Sequence, residues 1–191
     1  MVPAPLGRFP GFGRPLPVGF YARPTATVAR ALLGCRIVHR TTAGDLAARI
    51  VETEAYRSND PASHAFRGPT ARNASMFGPP ATLYVFRIHQ VHCANAVTRP
   101  GEAVLLRAAA PVSRGLPSTR GPGRLCRALE IGLEFNGTSL SEGPVRILAG
   151  EGRNGAIVAG PRIGISKATE APLRFAVAAD PFVSGPRPWR R

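Results

Sequence analysis

Proline and glycine interrupt this chain so often that long regular elements have no room to form. Its 191 residues hold 21 glycines and 20 prolines. Proline blocks a helix interior and removes a backbone donor, while glycine readily takes up turn conformations. Short elements joined by many turns are therefore expected. Residues 1–20, with five prolines and four glycines, read as an extended, flexible arm. Thr25 to Leu33 reads as a short helix, with Thr25 as N-cap, Val28 and Leu32 on one face and Gly34 at C′. Cys35–Arg40 and Leu46–Tyr56 read as strands joined by the turn Thr42-Ala43-Gly44-Asp45. A polar loop runs from Arg57 to Pro80. Further strands are expected at Thr82–Ile88, Ala103–Ala108, Val145–Leu148, Ala156–Val158, Arg162–Ile165 and Leu173–Val177. A second short helix, Arg124–Ile131, is entered through Gly121-Pro122-Gly123. The fold class is α+β: a single domain over residues 21–183, with a curved, mostly antiparallel sheet core and short peripheral helices. Residues 184–191 read as a basic tail. A hydrophobic content of 44% is enough for one packed core.

Charge narrows the function classes. The formal net charge is +14, and Lys167 is the only lysine, so almost all of the excess is arginine. A basic excess of this size favours a polyanion, chiefly nucleic acid, and arginine forks suit bidentate phosphate contacts. No basic amphipathic helix points to an anionic membrane surface, and no apolar run approaches the ~20 residues of a bilayer span. Met1 to Arg23 has no apolar h-region, so no secretory leader is expected. Three cysteines, Cys35, Cys93 and Cys126, without paired spacing fit a reduced, cytoplasmic protein.

Period two along Leu46–Tyr56 puts Glu52, Glu54 and Tyr56 on one face and Val51, Thr53 and Ala55 on the other. Taken alone, the bland reading is a pair of salt-bridged glutamates among 25 basic residues. The functional reading is one general base, a second carboxylate that tunes or buttresses it, and a ring to stack on a planar substrate.

The stretch Val51-Glu52-Thr53-Glu54-Ala55-Tyr56 resembles the V-E-T-E-A-Y signature of the alkyladenine (3-methyladenine) DNA glycosylase family. Similar blocks follow in the family's order: Ser63-His64, Arg72-Asn73, Met76-Phe77-Gly78-Pro79, Leu83-Tyr84-Val85, Cys93-Ala94-Asn95 and Val104-Leu105-Leu106-Arg107-Ala108. Gly121-Pro122-Gly123-Arg124-Leu125-Cys126 and Pro161-Arg162-Ile163-Gly164-Ile165 complete the set. The resemblance implies a fold like the formyltransferase C-terminal domain and a monofunctional enzyme of base-excision repair. Such an enzyme flips a damaged purine out of duplex DNA and hydrolyses its N-glycosidic bond. It implies Glu54 as the general base, Arg107 as a holder of the attacking water and the neighbouring phosphate, and the Ile163 carbonyl as the third ligand of that water. Tyr56, His64 and Phe86 fall where the flipped base is sandwiched. The His64 backbone N–H meets the purine six-position, and Asn95 crowds the two-position against guanine. For intercalation and backbone contact it implies His89 as the wedge, with Val91, Met76, Thr70, Arg72, Arg124, Gly164 and Lys167 around it. No cofactor, metal or membrane partner is implied, and the expected enzyme is a monomer, nucleoid-associated if bacterial. Two departures from the family are Phe86 and His89, each where tyrosine is usual. The run from His89 to Cys93 is one residue shorter than usual.

Several residues admit other readings. His89, His92, Cys93 and His64 resemble a zinc set, yet a structural site wants four ligands with a second pair. Lys167 admits a Schiff-base lyase, against a plain phosphate contact. Gly121-Pro122-Gly123 admits a phosphate cradle or only a turn. The rival from another class is a non-enzymatic RNA- or ribosome-associated binder. Carboxylates in a phosphate groove would work against such a protein.

Overall fold

The computed structural model describes residues 11–153 and 155–186. It is an α+β fold built on one curved antiparallel sheet. The strands are β1 (Arg36–Thr41), β2 (Gly44–Tyr56), β3 (Leu83–Ile88), β4 (Val91–Arg99), β5 (Glu102–Pro111), β6 (Val145–Leu148), β7 (Ile157–Gly160) and β8 (Arg174–Val177). Their order is β3-β4-β5-β2-β1-β6, with β8 on β2 and β7 on β8. Thirteen-residue β2 is the spine. β5 lies along one edge of it, while β1 takes the first half of the other edge and β8 the second half. The helices α1 (Val18–Tyr21), α2 (Thr25–Ala31) and α3 (Pro122–Ala128) are short, as the proline and glycine spacing requires. None of the described helices is long and apolar enough to cross a membrane.

The two faces of the sheet do different work. Val51 and Ala55 of β2, with Val104 and Leu106 of β5 and Ala94 and Ala96 of β4, join Val28, Ala29 and Leu125 of the helices in the main core. Thr53 on this face donates its hydroxyl to the Ala29 carbonyl, 2.8 Å. The opposite face carries the polar set described below. Gly34 has φ +92, and a Cβ there would lie 2.7 Å from the Gly152 carbonyl carbon. Only glycine allows the chain leaving α2 to pass so close.

Differences from the sequence reading are few and physical. Thr25 does not cap its helix. Pro24 holds that place, and the Thr25 hydroxyl bonds instead to Thr98 and Glu102, tying α2 to the sheet. β4 was not expected, because both its faces are buried in small residues and the alternation vanishes. Arg162–Ile165 is not a strand. Gly164 has φ +78, the Ile163 N–H goes to the Glu54 carboxylate, and the Arg162 side chain goes to Asp60 and the Ala55 carbonyl. Residues 1–10 of the expected arm and 187–191 of the expected tail lie outside the described residues. Within the arm, Pro15 bridges to Leu148 and Leu16 is buried, so the packed domain begins before residue 21. At the other end, Ser184 is buried as well.

Candidate active site

The sheet register assembles the site. One rung runs across five strands, Tyr84–Asn95–Leu105–Glu54–Arg174, each residue directly opposite the next. All of these side chains start from the same sheet face. Two irregularities interrupt the β2–β5 ladder, between Ile50 and Glu52 and between Glu52 and Thr53. They leave Val51 on one strand and Arg107 on the other without a direct partner. A bulge re-aims a side chain in this way. The Arg107 guanidinium lies between the carboxylates, with Nη1 3.5 Å from Glu54 Oε1 and Nε 3.5 Å from Glu52 Oε1.

Glu54 is fully buried. Its Oε1 accepts the Ile163 N–H at 2.9 Å, and its Oε2 accepts the Tyr56 hydroxyl at 2.9 Å. Each carboxylate oxygen has about two acceptor sites, so acceptor capacity remains on both. Burial pushes the Glu54 carboxyl above the usual range, against the opposing pull of Arg107, Ile163 and Tyr56. A buried charge is disfavoured unless its partners compensate, and here they compensate only in part. Burial, helped by the negative Glu54, also pushes the Tyr56 phenol well up, which keeps it a protonated donor. Glu52 is likewise fully buried. It accepts Arg174 Nε at 2.5 Å and the Ser184 N–H at 2.7 Å, while Arg174 Nη2 donates to the Ser184 carbonyl at 2.7 Å. Glu54 thus bonds to Tyr56 and Ile163 beside Arg107, three residues that line a cavity, while Glu52 anchors the arginines behind it.

A cavity of about 410 Å³ opens beside Tyr56, Ile163 and Arg107, the partners of Glu54. Tyr56, His64, Tyr84, Phe86, Asn95 and Arg107 line it. The His64 ring meets Phe86 edge-on, with centroids 4.5 Å apart, and His64 Nδ1 lies 3.0 Å from the Tyr84 hydroxyl. Burial lowers the His64 pKa, which favours the neutral ring. Asn95 spends its amide N–H groups on the carbonyls of Tyr84 (3.0 Å) and Cys93 (3.3 Å). Only its carbonyl oxygen is left for a guest. The lining is aromatic with a few polar groups, suited to a planar heterocycle.

The expected site residues fall into three places. Arg107, Tyr56, His64, Phe86 and Asn95 line the cavity, as do Ile163, Gly164 and Lys167 from the loop after β7, and Glu54 is bonded to Tyr56 and Ile163 of that lining. For Ile163 the visible contact is its N–H to Glu54. His89 stands exposed at the tip of the two-residue β3–β4 turn, with φ +52. The β3–β4 pairing puts Asn95 opposite Tyr84, with both in the cavity wall. Val91 flanks the tip and abuts Gly123, where a Cβ would sit 2.8 Å from the Val91 Cβ. Thr70, Arg72 and Arg124 are exposed. Met76 is buried and lines the cavity beside Tyr84. His89 and His92 project from the hairpin without a converging set. Among the described residues no group of three or more His, Cys, Asp or Glu is placed to hold a metal ion. Burial pushes the thiol of Cys93 up to about 11 and that of Cys126 up to about 12, so neither is a ready nucleophile.

Sequence reasoning missed Asn73, whose side chain organises the His64 loop. It donates to the carbonyls of His64 (2.8 Å) and Gly68 (3.2 Å) and accepts from Thr70. It also missed Asp60, Arg162 and Arg174. Their partners lie about a hundred residues away along the chain, where no local pattern signals them.

Comparison with known proteins gives one consistent result. The family model described as methylpurine-DNA glycosylase (MPG) matches residues 19–181. The chain is 50% identical over 182 residues to a protein of Anaeromyxobacter dehalogenans strain 2CP-1, covering 91% of this chain and 87% of that one. It is 46% identical over 192 residues to a protein of Methanoculleus marisnigri, covering 88% and 98%. A Nitrosospira multiformis protein is 43% identical over 187 residues, covering 90% and 93%. Each carries the name "Putative 3-methyladenine DNA glycosylase".

Proposed function

The chain belongs to the methylpurine-DNA glycosylase family, and on that premise we propose that it excises damaged purines from duplex DNA by Glu54-directed hydrolysis. The substrate class is 3-methyladenine, 7-methylguanine, hypoxanthine and ethenoadenine. The observation that carries this reading is the buried Glu54 carboxylate, held by Tyr56 and Ile163 beside Arg107, at the back of an aromatic cavity.

In this mechanism arginines engage the phosphates, and the enzyme acts as a monomer. Extruding the lesion costs a few kcal/mol, least for a weakly paired or damaged base, which supplies part of the selectivity. The base enters between Tyr56 on one side and His64 and Phe86 on the other, where stacking contributes about 1–3 kcal/mol per base. Ionised Glu54 takes a proton from water as the water oxygen bonds to the anomeric carbon. The N-glycosidic bond breaks with its electron pair going to the purine, and an abasic site remains. The same carboxylate stabilises positive charge developing on the sugar. A cationic methylated base leaves as a neutral purine, so the cavity contributes less for it than for hypoxanthine or ethenoadenine. In this reading His89, exposed at the tip of β3–β4, fills the gap in the duplex. An imidazole plugs it with less bulk than a phenol ring and adds phosphate attraction when cationic.

The test is incubation with duplexes carrying one hypoxanthine, ethenoadenine or 7-methylguanine, scored for free base and alkali-sensitive sites. Release of at least one is expected; release of none would overturn the reading. Lys167 is exposed at the cavity edge, and in this mechanism it is only a phosphate contact. Borohydride added during turnover is therefore expected to trap no enzyme–DNA adduct, and a stable adduct would make Lys167 the nucleophile. Binding led by arginine also predicts steep salt dependence. If about six phosphates are neutralised, affinity should fall on the order of a thousandfold between 50 and 200 mM salt. A flat response in a fluorescence-anisotropy titration would count against phosphate-led binding.

A further inference from the structure

Both hydrogen-bond donors to Glu54 trace back to one buried side chain. Arg162 donates Nη1 to the Ala55 carbonyl at 3.1 Å and Nη2 to Asp60 Oδ1 at 3.1 Å, and Nη1 also pairs with Asp60 Oδ2. Its guanidinium carbon lies 4.6 Å from the centroid of the Tyr56 ring. Tyr56 gives its hydroxyl to Glu54 Oε2, and Ile163, the residue next to Arg162, gives its N–H to Oε1. We infer that Arg162, clamped by Asp60, is a positioning residue that fixes both donors to Glu54. It does so by backing the Tyr56 ring and by pinning the chain at Ile163.

Stability alone is a poor account of this clamp. The Arg162 side chain is fully buried and Asp60 nearly so, yet among the described residues Arg162 Nε has no hydrogen-bond partner. Replacing a buried ion pair by apolar groups is often neutral or stabilising, so stability gives little reason for this one. The geometry also calls for arginine rather than lysine. A planar fork binds one carboxylate at two points and stacks on a ring, and an ammonium does neither as well. The Tyr56 ring is thereby held from behind while its other surfaces serve the cavity and the carboxylate.

The consequence is a shift in the pH at which the base works. Facing Glu54 are Glu52 and Tyr56 on β2, Arg107 on β5, Arg174 on β8 and Cys93 on β4, with Arg162 behind Tyr56. The hydrogen bonds from Tyr56 and Ile163 favour the ionised carboxylate. Loosening either raises the pH needed to ionise Glu54 and moves the acid limb of the rate profile upward.

This inference rests on the reading of Glu54 as the base. The experiment is single-turnover base release, against pH, on whichever of the hypoxanthine, ethenoadenine and 7-methylguanine duplexes the wild type cleaves. Arg162→Lys and Asp60→Asn are compared with wild type, with folding checked by circular dichroism. Asp60→Asn keeps the arginine and the side-chain shape while leaving one acceptor where there were two, so it decides the matter if Arg162→Lys does not fold. A slowing on the order of 10- to 100-fold is expected from the misplaced donors. The acid-limb midpoint should rise by about one pH unit, the equivalent of one charge-assisted hydrogen bond. A slower enzyme with an unmoved midpoint, or an unchanged rate, would show the clamp to be structural only and leave the proposed function standing. A wild type that releases no base removes the reading and this inference with it.

Discussion

Glu54→Gln is expected to release base about 10²- to 10⁴-fold more slowly than wild type, the range a positioned general base contributes, while DNA affinity is retained or raised. The substitution tests chemistry rather than folding. A glutamine oxygen still accepts the Ile163 N–H, and the Tyr56 hydroxyl can turn to accept from the new amide, so the hydrogen-bond set at Glu54 survives. Removing one negative charge from the groove also lessens its repulsion of phosphates. In the wild type, burial raises the Glu54 pKa and the reaction needs the ionised form. The sign is therefore a rate that climbs with pH through a midpoint above the ordinary carboxylate range. The same limb should be absent from whatever activity Glu54→Gln retains. Full activity in the variant, or an acid limb that persists there, would assign the water to another group.

Glu52→Gln is expected to be the most damaging single change to stability among the site residues. The pair it breaks is buried on both sides, with side-chain exposures of 0% for Glu52 and 1% for Arg174. Removing one charge of a buried pair costs about 3–5 kcal/mol, which for a chain of this size lowers the thermal midpoint by about 6–20 °C. Base release should fall too, because Arg107 loses one of the two carboxylates between which it sits. Glu52→Met with Arg174→Met should recover part of the stability, since no uncompensated charge then remains between the two positions, but not the rate. Thermal unfolding followed by circular dichroism separates these outcomes. A midpoint within about 1 °C of wild type for Glu52→Gln would show the pair to be energetically idle.

How far the sequence reaches is best seen at Glu52 and Glu54. Alternation along β2 puts both carboxylates and Tyr56 on one face, and the bonds of both to Arg107 and of Tyr56 to Glu54 agree with it. Periodicity assigns them no separate tasks. The division comes from partners on β5, β8, the loop after β7 and the C-terminal segment. Glu52 meets Arg174 and Ser184, away from the cavity, whereas Glu54 meets Tyr56 and Ile163, which line it. β4 was illegible because burial on both faces erases the alternation that marks a strand. The Arg162 segment was misread as a strand because its apolar residues look extended, while its bonds run to distant side chains.

Local sequence determined what short-range sterics and side-chain pattern control: short elements, the β1–β2 hairpin, the face of β2 and the arginine-rich charge. Only the tertiary structure decided which carboxylate bonds to the residues that line the cavity, that Arg107 sits at a bulge between both, and that Asp60 and Arg162 brace the donors to Glu54. Those facts depend on register across five strands and on contacts between residues about a hundred positions apart. Such contacts are fixed by packing of the whole core, and no window of the sequence contains it.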